Sequence, residues 1–162
     1  MHRDPVQPNS RRGQSVPAGP AVEDHGRVVT ANIQAAALYR QAQQAADASV
    51  TVEALRHAVL ADPGFGLAVA DLAAITKAPP SPTVGRPMSW ERHHIEVVRT
   101  ASAGNVSRAT DLLREHLASV GCDPLALRIV TDLRRRTGDR YGLEDLSAQL
   151  PGCHRAFRET PP

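Results

Sequence analysis

Residues 89–133 read SWERHHIEVVRTASAGNVSRATDLLREHLASVGCDPLALRIVTDL, and three helices are written in that stretch. Ser89 is placed to cap a helix running to about residue 103, with Glu91 in its first turn where a carboxylate complements the helix dipole. Gly104 ends it. Ser107 opens the next, to about 119, with Ala109, Leu112, Leu113, Leu117 and Val120 on one side. Gly121 breaks that helix and Asp123-Pro124 starts a third, whose Leu125, Ala126, Ile129, Val130 and Leu133 face inward. Gly138, after Thr137, suits its C-terminal cap.

The same order precedes it. Ala31, Ala35, Leu38, Ala42 and Ala45 form one stripe of a helix over about 30–46. Val52, Leu55, Ala58 and Val59 mark a second over about 51–61. Asp62-Pro63 is placed to cap and start a third, carried by Phe65, Val69, Leu72, Ala73 and Thr76. Thr51, Leu55 and Val59 align with Ala109, Leu113 and Leu117 at an offset of 58. The second copy has three more residues before its Asp-Pro. Self-similar helical hairpins, each leaving an apolar face for the next to cover, predict an all-α, tetratricopeptide-like α-solenoid of about six helices in antiparallel hairpins. Pro79, Pro80, Pro82, Gly85 and Pro87 put a loop at 79–88 between the copies, because no helix crosses so many prolines. The domain spans 28–150, with a short turn expected at 143–150. Residues 1–27 and 151–162 read as tails without apolar periodicity.

Composition agrees. The chain is 41% hydrophobic, but 25 of those residues are alanine and only five are aromatic, so the core needs helix backbones close together. Strand formers are too few for an all-β fold. Nineteen basic against 17 acidic residues leave +2, which calls for neither a nucleic acid nor an acidic membrane. All but Lys77 of the basic residues are arginine, as a high-GC coding sequence would give. No apolar run is long enough to span a membrane and no secretory h-region opens the chain. Cys122 and Cys153 are isolated and not in a C-x-x-C; they are expected as reduced thiols in a cytoplasmic protein.

A family resemblance rests on ERHHIEVV at 91–98, Ala103-Gly104-Asn105, the run 109–117 and Asp123-Pro124-Leu125-Ala126-Leu127. To these the first copy adds Ala61-Asp62-Pro63-Gly64-Phe65 and Leu67-Ala68. Over about 30–137 the chain resembles the N-terminal part of the tetratricopeptide-repeat-protein-thirty-eight family, in the order of its elements and in the E-R-x-H opening of the fourth helix. The resemblance implies a helical scaffold without an assigned activity.

Four groups of residues compete for function. Glu91, His94 and His116 would come together if the fourth and fifth helices form a hairpin about Gly104-Asn105. Such a set suits a metal or acid–base site, yet a di-metal bundle needs a second Glu-x-x-His, so two packed histidines at a helix seam is the preferred reading. Cys122 beside a helix start invites a low thiol pKa, but a small residue filling a turn is commoner. Residues 107–137 can be read as a helix-turn-helix showing Arg128, Thr131, Asp132 and Arg135 outward, with Arg134–Arg136 behind. Asp132 on that face and Asp123 at its mouth are two carboxylates facing phosphates, which argues against DNA. The fourth group is Arg92 and Arg99, two turns apart on one face, with Gln41 and Gln44 as neighbours lining a groove for a partner's carboxylates. The expectation is therefore a non-enzymatic scaffold for a protein or peptide partner, self-associating or covered by that partner. No catalytic residue, metal ligand or cofactor is assigned, and the alternative is a DNA-binding regulator.

Overall fold

The computed structural model describes residues 21–24, 27–79, 81–82 and 85–138. Among them run two short strands and six helices: β1 (Ala21–Asp24), β2 (Arg27–Thr30), α1 (Ile33–Gln44), α2 (Ala48–Ala61), α3 (Gly66–Thr76), α4 (Ser89–Ser102), α5 (Val106–Val120) and α6 (Pro124–Arg136). The six helices form an all-α bundle in which each packs on the next, in the manner of helical repeats. No helix among the described residues is long and apolar enough to cross a membrane. The tail expected at 151–162, the turn expected at 143–150 and Cys153 lie outside the described residues.

The helix starts follow from short polar side chains. Asn32, Asp47, Asn105 and Asp123 each accept a backbone N–H of the first turn they cap. Gly104, Gly121 and Gly138 stand at helix ends with φ of 79°, 78° and 74°, where an L side chain is strained. Asn105, not Ser107, caps α5, and two further starts differ from expectation. Asp62-Pro63 does not open α3, which begins at Gly66 after Phe65. The Asp62 carboxylate is engaged elsewhere, accepting Gly64 N at 3.0 Å and Asn32 N at 2.9 Å, so the chain turns once more before the helix. Met88, not Ser89, precedes α4, and Glu91 reaches back to accept its N–H at 2.6 Å.

The antiparallel hairpin β1–β2 pairs Ala21 with Thr30 and Asp24 with Arg27, where the sequence suggested the end of a tail. It is anchored by Val29, fully buried in the first core. That core holds Ala31, Ala35, Ala36 and Ala42 together with Ala54, Leu55 and Ala58; small side chains let α1 and α2 approach closely. Tyr39 and Phe65 fill the remaining volume edge-to-face, with centroids 5.1 Å apart. A second core joins Val97, Val98, Leu112, Leu113, Leu117, Leu127 and Val130 of α4, α5 and α6. Ala70 and Ile75 of α3 touch both.

The last helix returns to the first ones. α6 packs on α4 and α5 and also reaches α3 and α1. Arg128 secures this closure: Nη1 donates to Thr51 Oγ1 at 2.8 Å and Nη2 to the Ala45 carbonyl at 2.7 Å. Thr131 beside it is buried. Of the face expected outward for DNA, only Asp132 and Arg135 are exposed, because Arg128 and Thr131 are turned into the bundle. Replacing Arg128 by Met keeps the stem and removes both bonds. The expected loss is about 1–3 kcal/mol of unfolding free energy in urea titration, against about 0.5 kcal/mol or less for Arg135→Met.

Candidate functional site

α3 reads GLAVADLAAIT, an apolar helix with one carboxylate, Asp71, in its middle. A buried carboxylate must find donors, and Asp71 finds two. Tyr39 of α1 donates its hydroxyl to Oδ2 at 2.7 Å, and His94 Nε2 of α4 lies 2.8 Å from Oδ1. The other ring nitrogen of His94 lies 2.7 Å from Asp123 Oδ2. His116 Nε2 of α5 approaches the same oxygen at 2.9 Å. Asp123 Oδ1 caps α6 by accepting Ala126 N at 3.1 Å. The result is an unbroken chain, Tyr39–Asp71–His94–Asp123–His116, drawing side chains from α1, α3, α4, α5 and the start of α6. Every member is at most 2% exposed.

The protonation states follow from the partners. Both nitrogens of His94 face carboxylate oxygens, so with both carboxylates ionised the ring is an imidazolium donating twice. Burial alone would lower its pKa, but Asp123 and then Asp71 outweigh that and hold it well above the ordinary histidine value. Asp123 is the converse: burial would raise it, while charged His94 and the bonds from both rings keep it well below the ordinary carboxylate value. Burial lowers His116, which stays neutral with its proton on Nε2. Its Nδ1 is buried and makes no hydrogen bond.

His94 and His116 do meet across the α4–α5 hairpin, with ring centroids 5.7 Å apart. Glu91 does not join them. It is itself buried and accepts Thr30 N at 2.8 Å, Thr30 Oγ1 at 2.8 Å and Met88 N at 2.6 Å, tying β2 to the start of α4. Its place beside the histidines is taken by Asp71 and Asp123. Asp71 was detectable as the lone charge in an apolar helix; Asp123 was visible as a cap, though capping occupies only one of its oxygens. His93 is partly exposed at the edge, 5.4 Å from the His116 ring and 4.0 Å from Glu115.

The residues expected to line a groove lie on the surface. Gln41 and Gln44 are exposed on α1, Arg92 and Arg99 on α4. Arg92 Nη1 donates to the Pro87 carbonyl at 3.1 Å and Arg99 Nη2 to the Ser81 carbonyl at 3.2 Å. Arg99 also edges a cleft between α3 and α4 with Val69, Ala73, Ala78 and Ser102; about 20 Å³ is room for a single water rather than a substrate. Cys122 is not the reduced thiol expected: it is disulfide-bonded, and its carbonyl accepts Arg27 Nη2 at 3.0 Å. No protein-family model, curated protein or solved structure matches the chain.

Folding stability should peak near the ordinary histidine pKa of about 6.5. Above it the unfolded chain loses a proton that folded His94 keeps, so stability falls as pH rises through the raised pKa. Below it the unfolded chain binds a proton that folded His116 refuses, so stability falls again. A further loss comes below about 4, where the unfolded chain's Asp123 takes up a proton that the folded one, held well below the ordinary carboxylate value, refuses. Each slope reaches at most about 1.4 kcal/mol per pH unit. Urea unfolding from pH 4 to 9 reads the dome, and His116→Gln should flatten its acid limb while keeping its alkaline limb.

Proposed function

We propose that the chain is a non-enzymatic scaffold of the tetratricopeptide-like α-solenoid kind, related to the family it resembles, which docks a protein or peptide partner. One observation carries this reading. Of the five exposed large apolar side chains among the described residues, four, Val28, Ile33, Leu60 and Met88, belong to one end of the bundle. The hydrogen bonds around them fix that placement. Asn32, next to Ile33, donates to the Ala61 carbonyl, next to Leu60, at 2.7 Å. Glu91 joins Thr30 to Met88, and Trp90 Nε1 donates to the Val28 carbonyl at 3.0 Å. Leu60 is 77% exposed and Ile33 69%, so both gain by being covered.

Arg92 stands one turn beyond Met88 at this same end, exposed. A partner offering apolar side chains flanked by a carboxylate matches it. Arg99, Gln41 and Gln44 extend the surface along α4 and α1. The internal ionisable groups are enclosed, so the reading assigns them to holding the bundle and its surface in shape. The expectation of reduced cytoplasmic thiols no longer supports a cytoplasmic setting, since Cys122 is bonded.

Two substitutions at exposed positions test the docking surface without touching the core. Ile33→Glu and Leu60→Glu should leave circular dichroism and melting temperature unchanged while lowering capture of the native partner at least about tenfold, each losing about 1.4 kcal/mol or more. Capture that survives both substitutions places the docking surface elsewhere. Sedimentation at several concentrations separates a foreign partner from a second copy.

A further inference from the structure

We infer that His94, His116 and Asp123 form a structural zinc site that clasps α4, α5 and α6. The donor atoms of these three residues lie within 4.8 Å of one another. Two nitrogens or oxygens bound to one zinc stand at most about 4.2 Å apart, so ring and carboxylate rotations of under about an ångström bring all three onto one ion.

Three features go beyond proximity. The first is convergence: His94 Nδ1 and His116 Nε2 both aim at Asp123 Oδ2, at 2.7 and 2.9 Å, from different helices. An ion bound by all three, with these separations opened to fit bonds of about 2.0–2.1 Å, takes the place of the two hydrogens that now point at Asp123. The second is the outer layer. The far nitrogen of His94 donates to Asp71, and Asp71 is itself held by the Tyr39 hydroxyl. A carboxylate behind a ligating histidine fixes its tautomer and raises its basicity. Asp123 Oδ1 is fixed by Ala126 N and keeps a second lone pair, so a bidentate Asp123 supplies the fourth donor. The third is the donor set. Zinc binding expels one proton from His94 Nδ1, and the His116 proton moves from Nε2 to Nδ1. Imidazole and carboxylate donors in a closed interior suit zinc better than calcium or magnesium, which take all-oxygen shells.

The test uses the full chain, free of added histidines, stripped with chelator and given one equivalent of zinc chloride. The expected result is one zinc per chain after gel filtration and a melting temperature higher by about 5 °C or more. Cobalt(II) in its place should give the intense visible bands of a four-coordinate N/O site. His116→Gln, checked for native circular dichroism, should lower zinc affinity at least tenfold, while His57→Gln at the exposed Glu53–His57 pair should not. Should His116→Gln fail to fold, the cobalt spectrum of the unmodified chain decides. The inference is overturned by wild-type protein that retains no zinc, by retention undiminished in His116→Gln, or by a weak six-coordinate cobalt spectrum.

Discussion

His94 is held between two carboxylates that come from opposite halves of the molecule. Asp71 sits on α3, in the helix trio that begins the bundle; Asp123 sits at the start of α6, which ends it. A doubly donating imidazolium cannot slide or rotate without abandoning one buried carboxylate, and an uncompensated charge in the interior costs several kcal/mol. The pair therefore fixes the register of α4 against both neighbours at once. Tyr39 and His116 extend the same constraint to α1 and α5.

That constraint matters because the apolar packing is permissive. Ala35, Ala36, Ala42, Ala54 and Ala58 offer small, nearly featureless surfaces. Such faces bring backbones close but discriminate poorly between one helix offset and the next. Shape-rich side chains at that seam are few, Tyr39 and Phe65 chief among them. Directional bonds supply what alanine cannot. Three polar ties do so at different levels: the histidine–aspartate chain through the middle, Glu91 with Thr30 and Met88 at one end, and Arg128 with Thr51 and Ala45 on the return of α6. Each joins elements far apart in sequence, where hairpin contacts alone would leave the halves free to hinge.

Helix positions were legible mainly from apolar stripes and from Asp123-Pro124, Gly104, Gly121 and Gly138 between them; the caps Asn32, Asp47 and Asn105 were not singled out. All six helices lie where those signals put them, to within a few residues, and His94 meets His116 because the α4–α5 turn at Gly104-Asn105 dictates it. What failed depended on long-range competition for a side chain. Asp62 looks like a cap until Asn32, thirty residues earlier, takes its oxygen. Glu91 looks like a ligand until Thr30 does the same. Arg128 looks solvent-facing until α6 returns to α1 and Arg128 reaches Ala45 and Thr51. The β1–β2 hairpin was hidden by brevity: two strands of four residues carry too few apolar positions to reveal a period, and β2 is held by buried Val29 and by the bonds of Glu91 to Thr30 and Trp90 to Val28.

The same competition separates the interior from the surface. Asp71, His94, His116 and Asp123 are enclosed, while Ile33, Leu60, Met88 and Arg92 lie outside. Buried His94 and His116 set helix register and make stability depend on pH. The exposed end inherits that rigidity. Ile33 follows Asn32, which is bonded to the end of α2, and Met88 is bonded through Glu91 to Thr30. Apolar side chains held on fixed backbones lose little entropy when covered, which is the property that turns an exposed patch into a docking surface.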